Sequence, residues 1–329
     1  PGPHPGAGSP GGAPHHAPGA AAHPAPTPAL TPLSLPHPAY VAYRAGSAVA
    51  RVLPPSLLAP TSQVAGAVAR RFMAERAEMV ARHQLRVRPE LTPDELRRAV
   101  TEAFESYAYY WAESFRLPGT SAQELDAQLD TVGFEHIRAG YEAGRGVVLA
   151  MPHLGLWEWA AFWTTTFQEI PVSAVVEPVE PPELARWFVG LREALGMEVI
   201  PLGPKAGAAA AAALAQGRIL TLMSDRDVAG AGIEVDFFGE RTTLPGGPAT
   251  LALRSGAPLV VSTVYLEDGR HKGIALPPLD TSRHGRLRDD VARVTQDLAD
   301  AMEQLIRMAP SQWHLMQPNW PSDLVAEAG

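Results

Sequence analysis

The chain contains no cysteine. That excludes a disulfide framework, a thiolate nucleophile and any cysteine-held zinc or iron–sulfur centre, and a reducing compartment is the expected setting. Lysine is nearly absent too, with Lys205 and Lys272 the two instances among 27 basic residues. Acid exceeds base by 35 to 27, a formal charge of −8, so a uniform polyanion-binding surface is excluded while a local basic patch is not. No run approaches the ~18 apolar residues of a membrane span, and no charged segment leads into an apolar core near the start, so a soluble or peripheral protein is expected. The first residue is Pro rather than Met, so the chain is expected to begin mid-sequence or after processing. A length of 329 residues allows one large domain or two ordinary ones.

Composition then divides the chain. Residues 1–38 hold 12 of the 33 prolines and five of the 11 histidines, with no charged side chain before Arg44. Such a stretch cannot bury a core and reads as a disordered tail; His15 and His16 with His4 and His23 could capture a metal adventitiously, but loose imidazoles lose entropy on chelation, which disfavours a functional metal site. From Arg44 to Arg88 there are eight arginines (44, 51, 70, 71, 76, 82, 86, 88) against Glu75 and Glu78, a net of +6 that leaves −14 for the remainder. Val64, Val68, Phe72 and Met79 recur at helical spacing beside Arg70, Arg71 and Arg76, and Pro54-Pro55 breaks the helix before them. The stripe either packs on the core or docks on anionic lipid, where each arginine near the surface contributes about 1 kcal/mol.

Thr92-Pro93-Asp94-Glu95 is a capping box with Pro at the first helical position, and Leu96, Val100, Phe104, Tyr107 and Trp111 share the face that follows. Ser121 to Glu124 repeats the box, and Gly144-Arg145-Gly146 ends a helical region taken as 39–145. From residue 147 the pattern changes to short apolar runs, 147–151, 172–176, 198–202 and 219–223, separated by helical segments of crossover length. Further strands are expected at 233–238, 259–265 and 273–276, then a closing helix over 290–308. The expected fold is therefore α/β: a mostly parallel or mixed sheet of about seven strands with helices on both faces, occupying 146–321, with 322–329 as a tail.

Catalytic groups in such sheets stand just past the carboxyl ends of strands. His153 follows the first run, and Glu158 comes five residues later, on a helix expected to begin near Leu154 or Gly155. A carboxylate there would accept from one ring nitrogen and stabilise imidazolium while the other nitrogen removes a proton from a hydroxyl. No nucleophile accompanies the pair, so the hydroxyl would belong to the acceptor. Trp157, Trp159, Phe162 and Trp163 supply more aromatic surface than one helix needs for packing, and part of it is expected to line a lipid site. Asp225 and Asp227 in Ser-Asp-Arg-Asp could instead grip a divalent metal and a nucleotide sugar, as in a metal-dependent glycosyltransferase, or belong to a buried ion-pair network. Leu244-Pro-Gly-Gly-Pro248 opens a helix whose N–H groups could receive an anion or serve merely as a turn. Gly-x-Ser-x-Gly, the P-loop, His-Glu-x-x-His and Gly-x-Gly-x-x-Gly after a strand are all absent, and basic and aromatic residues do not interleave as in nucleic-acid modules.

Residues 148–158, VLAMPHLGLWE, and 224–260, SDRDVAGAGIEVDFFGERTTLPGGPATLALRSGAPLV, together resemble the lipid A lauroyl/myristoyl branch of the lysophospholipid acyltransferase superfamily, and most closely its actinobacterial phosphatidylinositol mannoside acyltransferases. The likeness runs from about Pro38 through QWHLMQPNWP at 312–321. It implies transfer of a long acyl chain, chiefly palmitoyl, from acyl-CoA as cosubstrate to a mannose hydroxyl of a mannosylated inositol phospholipid, without metal, by a peripheral protein on the cytoplasmic face of the plasma membrane. A lipid A-type acceptor is the alternative, and a non-catalytic lipid binder is a third reading. By the resemblance, His153 and Glu158 match a His-x4-Asp/Glu signature, and Glu177 and Arg192 match positions associated with the polar acceptor head. A further acidic residue supports the histidine, a place that Glu234 or Asp225 can fill; Glu234 is set beside the catalytic pair, and Asp225 and Arg226 with the substrate. Arg70, Arg71 and Arg76 would meet the anionic membrane, and nucleic acid is not an expected partner.

Overall fold

A computed structural model describes Gly2 and residues 37–325 of the chain; the rest of the proline-rich tail lies outside them. Helix α1 (Pro38–Val52) is capped by the His37 ring, which accepts from the Ala39 N–H. The Pro54-Pro55 break separates it from α2 (Pro55–Phe72), and α3 (Ala74–Val87) follows. Both capping boxes form. Thr92 and Glu95 bond each other's backbone at the start of α4 (Pro93–Arg116), and Ser121 and Glu124 do the same for α5 (Ala122–Ala127).

Small residues decide how α2 sits. Gly66 is buried against α4, where a Cβ would come within 2.5 Å of Glu105 Cα, and Leu58 and Ser62 are buried with it. Val64, Val68 and Phe72 consequently turn outward, 66, 52 and 82% exposed, while Met79, expected on the same stripe, is buried in α3. The apolar stripe of α2 therefore does not pack on the core.

The chain next forms β1 (Leu129–Val132), α6 (Phe134–Glu142), β2 (Val147–Met151), α7 (Trp157–Thr166), β3 (Val172–Val176), α8 (Pro182–Ala194), β4 (Glu198–Pro201), α9 (Ala206–Ala215) and β5 (Ile219–Met223). After β6 (Ile233–Phe237) and β7 (Glu240–Leu244) come α10 (Gly247–Ser255), β8 (Leu259–Glu267), β9 (Arg270–Ala275), α11 (Leu287–Met308) and α12 (Pro321–Val325). Seven strands make one sheet in the order β1-β9-β8-β2-β5-β3-β4. The five from β8 to β4 are mutually parallel, whereas β9 runs antiparallel to β8 and β1 parallel to β9.

The sheet is the expected one in class and size, but its membership differs. Residues 233–237 lie outside it, pairing with the unforeseen β7 in a separate hairpin. Phe238 and Gly239 turn there with φ of 49° and 76°, the geometry of a two-residue turn. Its seventh strand is β1, drawn from the region read as helical; it is short, with Leu129 alone buried, and carries no alternation to detect. Residues 321–325, placed partly in a tail, form a helix whose Asp323 is fully buried.

Alternate residues of β2 face two apolar layers. Val148 and Ala150 join α9, α10 and α11; Val147 and Met151 join α5, α6 and α7. Burial on both faces is what keeps a parallel sheet stable.

Candidate active site

Strands β2, β5 and β3 are neighbours pointing the same way, so the residues after them emerge along one edge. These include His153, Asp225 and Glu177. The His153 Nδ1–H donates to Asp225 Oδ1 at 2.6 Å, and the His153 main-chain N–H donates to Oδ2 at 2.9 Å. Trp313 Nε1–H also donates to Oδ2, at 2.7 Å, and Asn319 Nδ2–H reaches the Asp225 carbonyl at 3.0 Å. Asp225 is fully buried, whereas the His153 side chain keeps 39% exposure. With Nδ1 engaged, Nε2 is the nitrogen left to meet a hydroxyl.

Burial opposes charge on both groups. The attraction and hydrogen bond between them outweigh it, so the imidazole is raised from its ordinary value and the carboxyl lowered. Arg226 works against the imidazolium and Glu177 favours it. Those two form an ion pair with each other, Glu177 the more exposed member.

Glu158 is not the partner of His153. It is buried on the first turn of α7 and accepts from Tyr110 Oη–H and Arg192 Nη2–H, both at 2.9 Å. The reason is local. The helix begins at Trp157, later than the spacing suggests, because Leu154 and Gly155 first bridge to Trp313 and Val264. Gly155 takes φ of 66° there, and a Cβ would lie 1.9 Å from the Val264 carbonyl oxygen. Burial pushes the Glu158 carboxyl up, with Arg192 and Tyr110 offsetting part of the effect, and burial beside Glu158 pushes the Tyr110 hydroxyl well up. Arg192, expected with Glu177, instead pairs with Glu158 and lies over the Trp157 ring at 5.1 Å.

Glu234 is also displaced from its expected place. Along β6 the residues alternate, Val235 and Phe237 inward and Glu234 and Asp236 outward, which leaves Glu234 77% exposed beside Arg241. The acidic support of His153 is Asp225, assigned above to the substrate. Asp227 points elsewhere: its carboxylate accepts from the N–H groups of Ala229, Gly230 and Gly232 and from the Thr243 hydroxyl. Asp225 and Asp227 therefore do not converge, and the Asp-x-Asp reading loses its shared point of coordination.

The QWHLMQPNWP segment supplies contacts that local spacing could not reveal. Besides Trp313 and Asn319, the His314 N–H donates to the His153 carbonyl at 2.7 Å. The His314 ring lies between Tyr107 and Tyr110 with Nε2 2.9 Å from Ser106 Oγ. Burial, with His153 nearby, pushes its pKa down to about 3, so this second imidazole is neutral.

Beneath α7 runs an apolar cleft lined by Met151, two residues before His153, together with Ile137, Trp157, Trp163, Val172 and Ile219. It encloses about 570 Å³ of space between its walls and the adjoining solvent, and its lining is predominantly apolar. Of the four aromatics, Trp157 and Trp163 line it, Trp159 stacks on His271 at 3.7 Å, and Phe162 is core. The alanine-rich α9 does not line the cleft, because it packs on the other face of the sheet.

The fold and its His–Asp edge accompany a clear kinship: the chain belongs to the bacterial lipid A biosynthesis acyltransferase family, which matches residues 32–322. It is thus an acyltransferase by descent. Over 295 residues it is 38% identical to the phosphatidylinositol mannoside acyltransferase of Mycolicibacterium smegmatis, covering 87% of this chain and 93% of that one. Over 245 residues it is 40% identical to the protein of the same name from Mycobacterium tuberculosis H37Rv, covering 73% and 75%.

Proposed function

We propose that the protein transfers a long-chain acyl group, palmitoyl, from acyl-CoA to a mannose hydroxyl of a phosphatidylinositol mannoside on the cytoplasmic face of the plasma membrane. The observation that carries this reading is the His153–Asp225 pair at the carboxyl edge of the sheet, in a chain 38% identical to a protein of that name.

His153 Nε2 takes the proton of the sugar hydroxyl as its oxygen attacks the thioester carbonyl. Asp225 stabilises the imidazolium that results. When the tetrahedral adduct collapses, the C–S bond breaks and the CoA sulfur leaves with the proton that His153 carries, giving ester and thiol. The main-chain donors nearest the ring are engaged: His153 N–H with Asp225, Leu154 with Pro152, Gly155 with Gln312 and Leu156 with Val264. That favours a side chain for the oxyanion, and Arg226 on the rim is the nearest cation in sequence to the pair. Glu177, the more exposed member of its pair with Arg226, meets the polar acceptor head, while Glu158, Arg192 and Tyr110 brace the wall. The cleft takes the acyl chain.

The outward stripe of Val64, Val68 and Phe72, with Arg71 and Arg76 exposed and Arg70 half-buried, serves as the contact with anionic lipid. No described helix is long and apolar enough to cross a membrane.

The test is incubation with palmitoyl-CoA and a panel of glycolipids, following CoA thiol and product mass. Acylation of a mannosylated inositol lipid, lost in His153→Ala, is the expected result. Acylation of a lipid A precursor alone replaces the acceptor, and mass gain by neither overturns the reading. The family's description keeps the lipid A-type acceptor as the second reading.

A further inference from the structure

Asp225 is held from two sides. Oδ1 accepts one bond, from the His153 ring, while Oδ2 accepts two, from the His153 main chain and the Trp313 indole. The main chain on either side of that indole is tied down as well, the Gly155 N–H donating to the Gln312 carbonyl at 2.9 Å and the His314 N–H to the His153 carbonyl at 2.7 Å. The indole itself cannot drift. It is 1% exposed and wedged among His83, Phe237, Phe238 and Trp320, with ring centroids 5.4, 6.3, 5.8 and 6.3 Å away.

We infer that Trp313 is a positioning residue for the His153–Asp225 pair, its indole N–H fixing the carboxylate so that Oδ1 faces the ring. Packing alone does not require a fully buried N–H to be aimed at a fully buried anion. Indole nitrogen donates and never accepts, so this bond has one polarity at every pH and commits Asp225 to accepting. The donor also draws charge from the carboxylate. Without it, Asp225 binds the imidazolium more tightly and its side chain gains a rotation that the His153 amide alone does not prevent. The other groups that act on the ring are Arg226, Glu177 and the neutral His314, and none of them touches Oδ2.

The kinetic part of the test rests on the acyl-transfer reading above; the spectroscopic part does not. In the full chain, Trp313→Phe should lower kcat by about tenfold with KM for both substrates within about twofold, and move the acid limb of the kcat–pH profile upward. Phe237→Leu loosens the same packing without touching the donor and should leave the profile in place. Substrate-free protein labelled in histidine, with His153 assigned through His153→Ala, should show that ring titrating at higher pH in Trp313→Phe. Replacement of Trp313 by β-(3-benzothienyl)alanine, of the same shape but lacking the N–H, should give the same upward shift if the Phe variant fails to fold. A titration that is unmoved or lowered overturns the inference and leaves Trp313 as packing. A shifted titration in a protein that acylates no acceptor overturns the function and retains the positioning.

Discussion

At the scale of single residues, the site sets a partly exposed imidazole on a fully buried carboxylate. His153 must be neutral to accept a proton, and Asp225 raises the pH at which it becomes so. The acid limb of kcat/KM should therefore lie above the ordinary imidazole value. Asp225→Asn keeps the shape but removes the anion, and that limb should fall as activity drops by about 100-fold or more, read from thiol release against pH. Arg192→Ala should act differently. It leaves the Glu158 carboxylate buried without its cation, and a loss of about 3 kcal/mol in urea unfolding is expected, with Glu158→Gln milder because the Tyr110 hydroxyl keeps a partner. The position of His153 just past the carboxyl end of a strand was legible in the sequence, from the apolar run that precedes it. The pairing was not: Asp225 lies 72 positions from the histidine, and spacing along one segment favours the nearer Glu158 until the start of α7 is known.

Among the elements, α2 departs most from ordinary packing. Its small face meets α4 and its apolar face meets solvent, so Val64→Ser, Val68→Ser and Phe72→Ser should each cost no more than about 0.5 kcal/mol in stability, and the three combined no more than about 1.5 kcal/mol. The same triple variant should bind anionic vesicles about tenfold more weakly in co-sedimentation, and undiminished binding would remove this helix from the membrane contact. Strands β2, β3 and β5 were legible to the residue because both of their faces are buried and their apolar runs are continuous. β1 was hidden because one of its four residues is buried, and β7 because Glu240 to Leu244 reads as polar. The capping boxes of α4 and α5 were legible because their chemistry is complete within four residues.

For the molecule as a whole, charge is divided along the chain. The segment from Arg44 to Arg88 carries +6 and the remainder −14. A surface held partly by arginine should release as ionic strength rises, since screening shortens to about 3 Å at 1 M salt. Vesicle binding should accordingly fall with salt and with removal of anionic lipid, whereas neutral vesicles should show little dependence on either.

The indole that braces Asp225 stands 88 positions beyond it. A nascent polypeptide that has cleared the ribosome only as far as Asp225 already carries base and carboxylate, yet neither is set. Competence arrives with a much later stretch, when Trp313 and Asn319 close over an edge laid down long before.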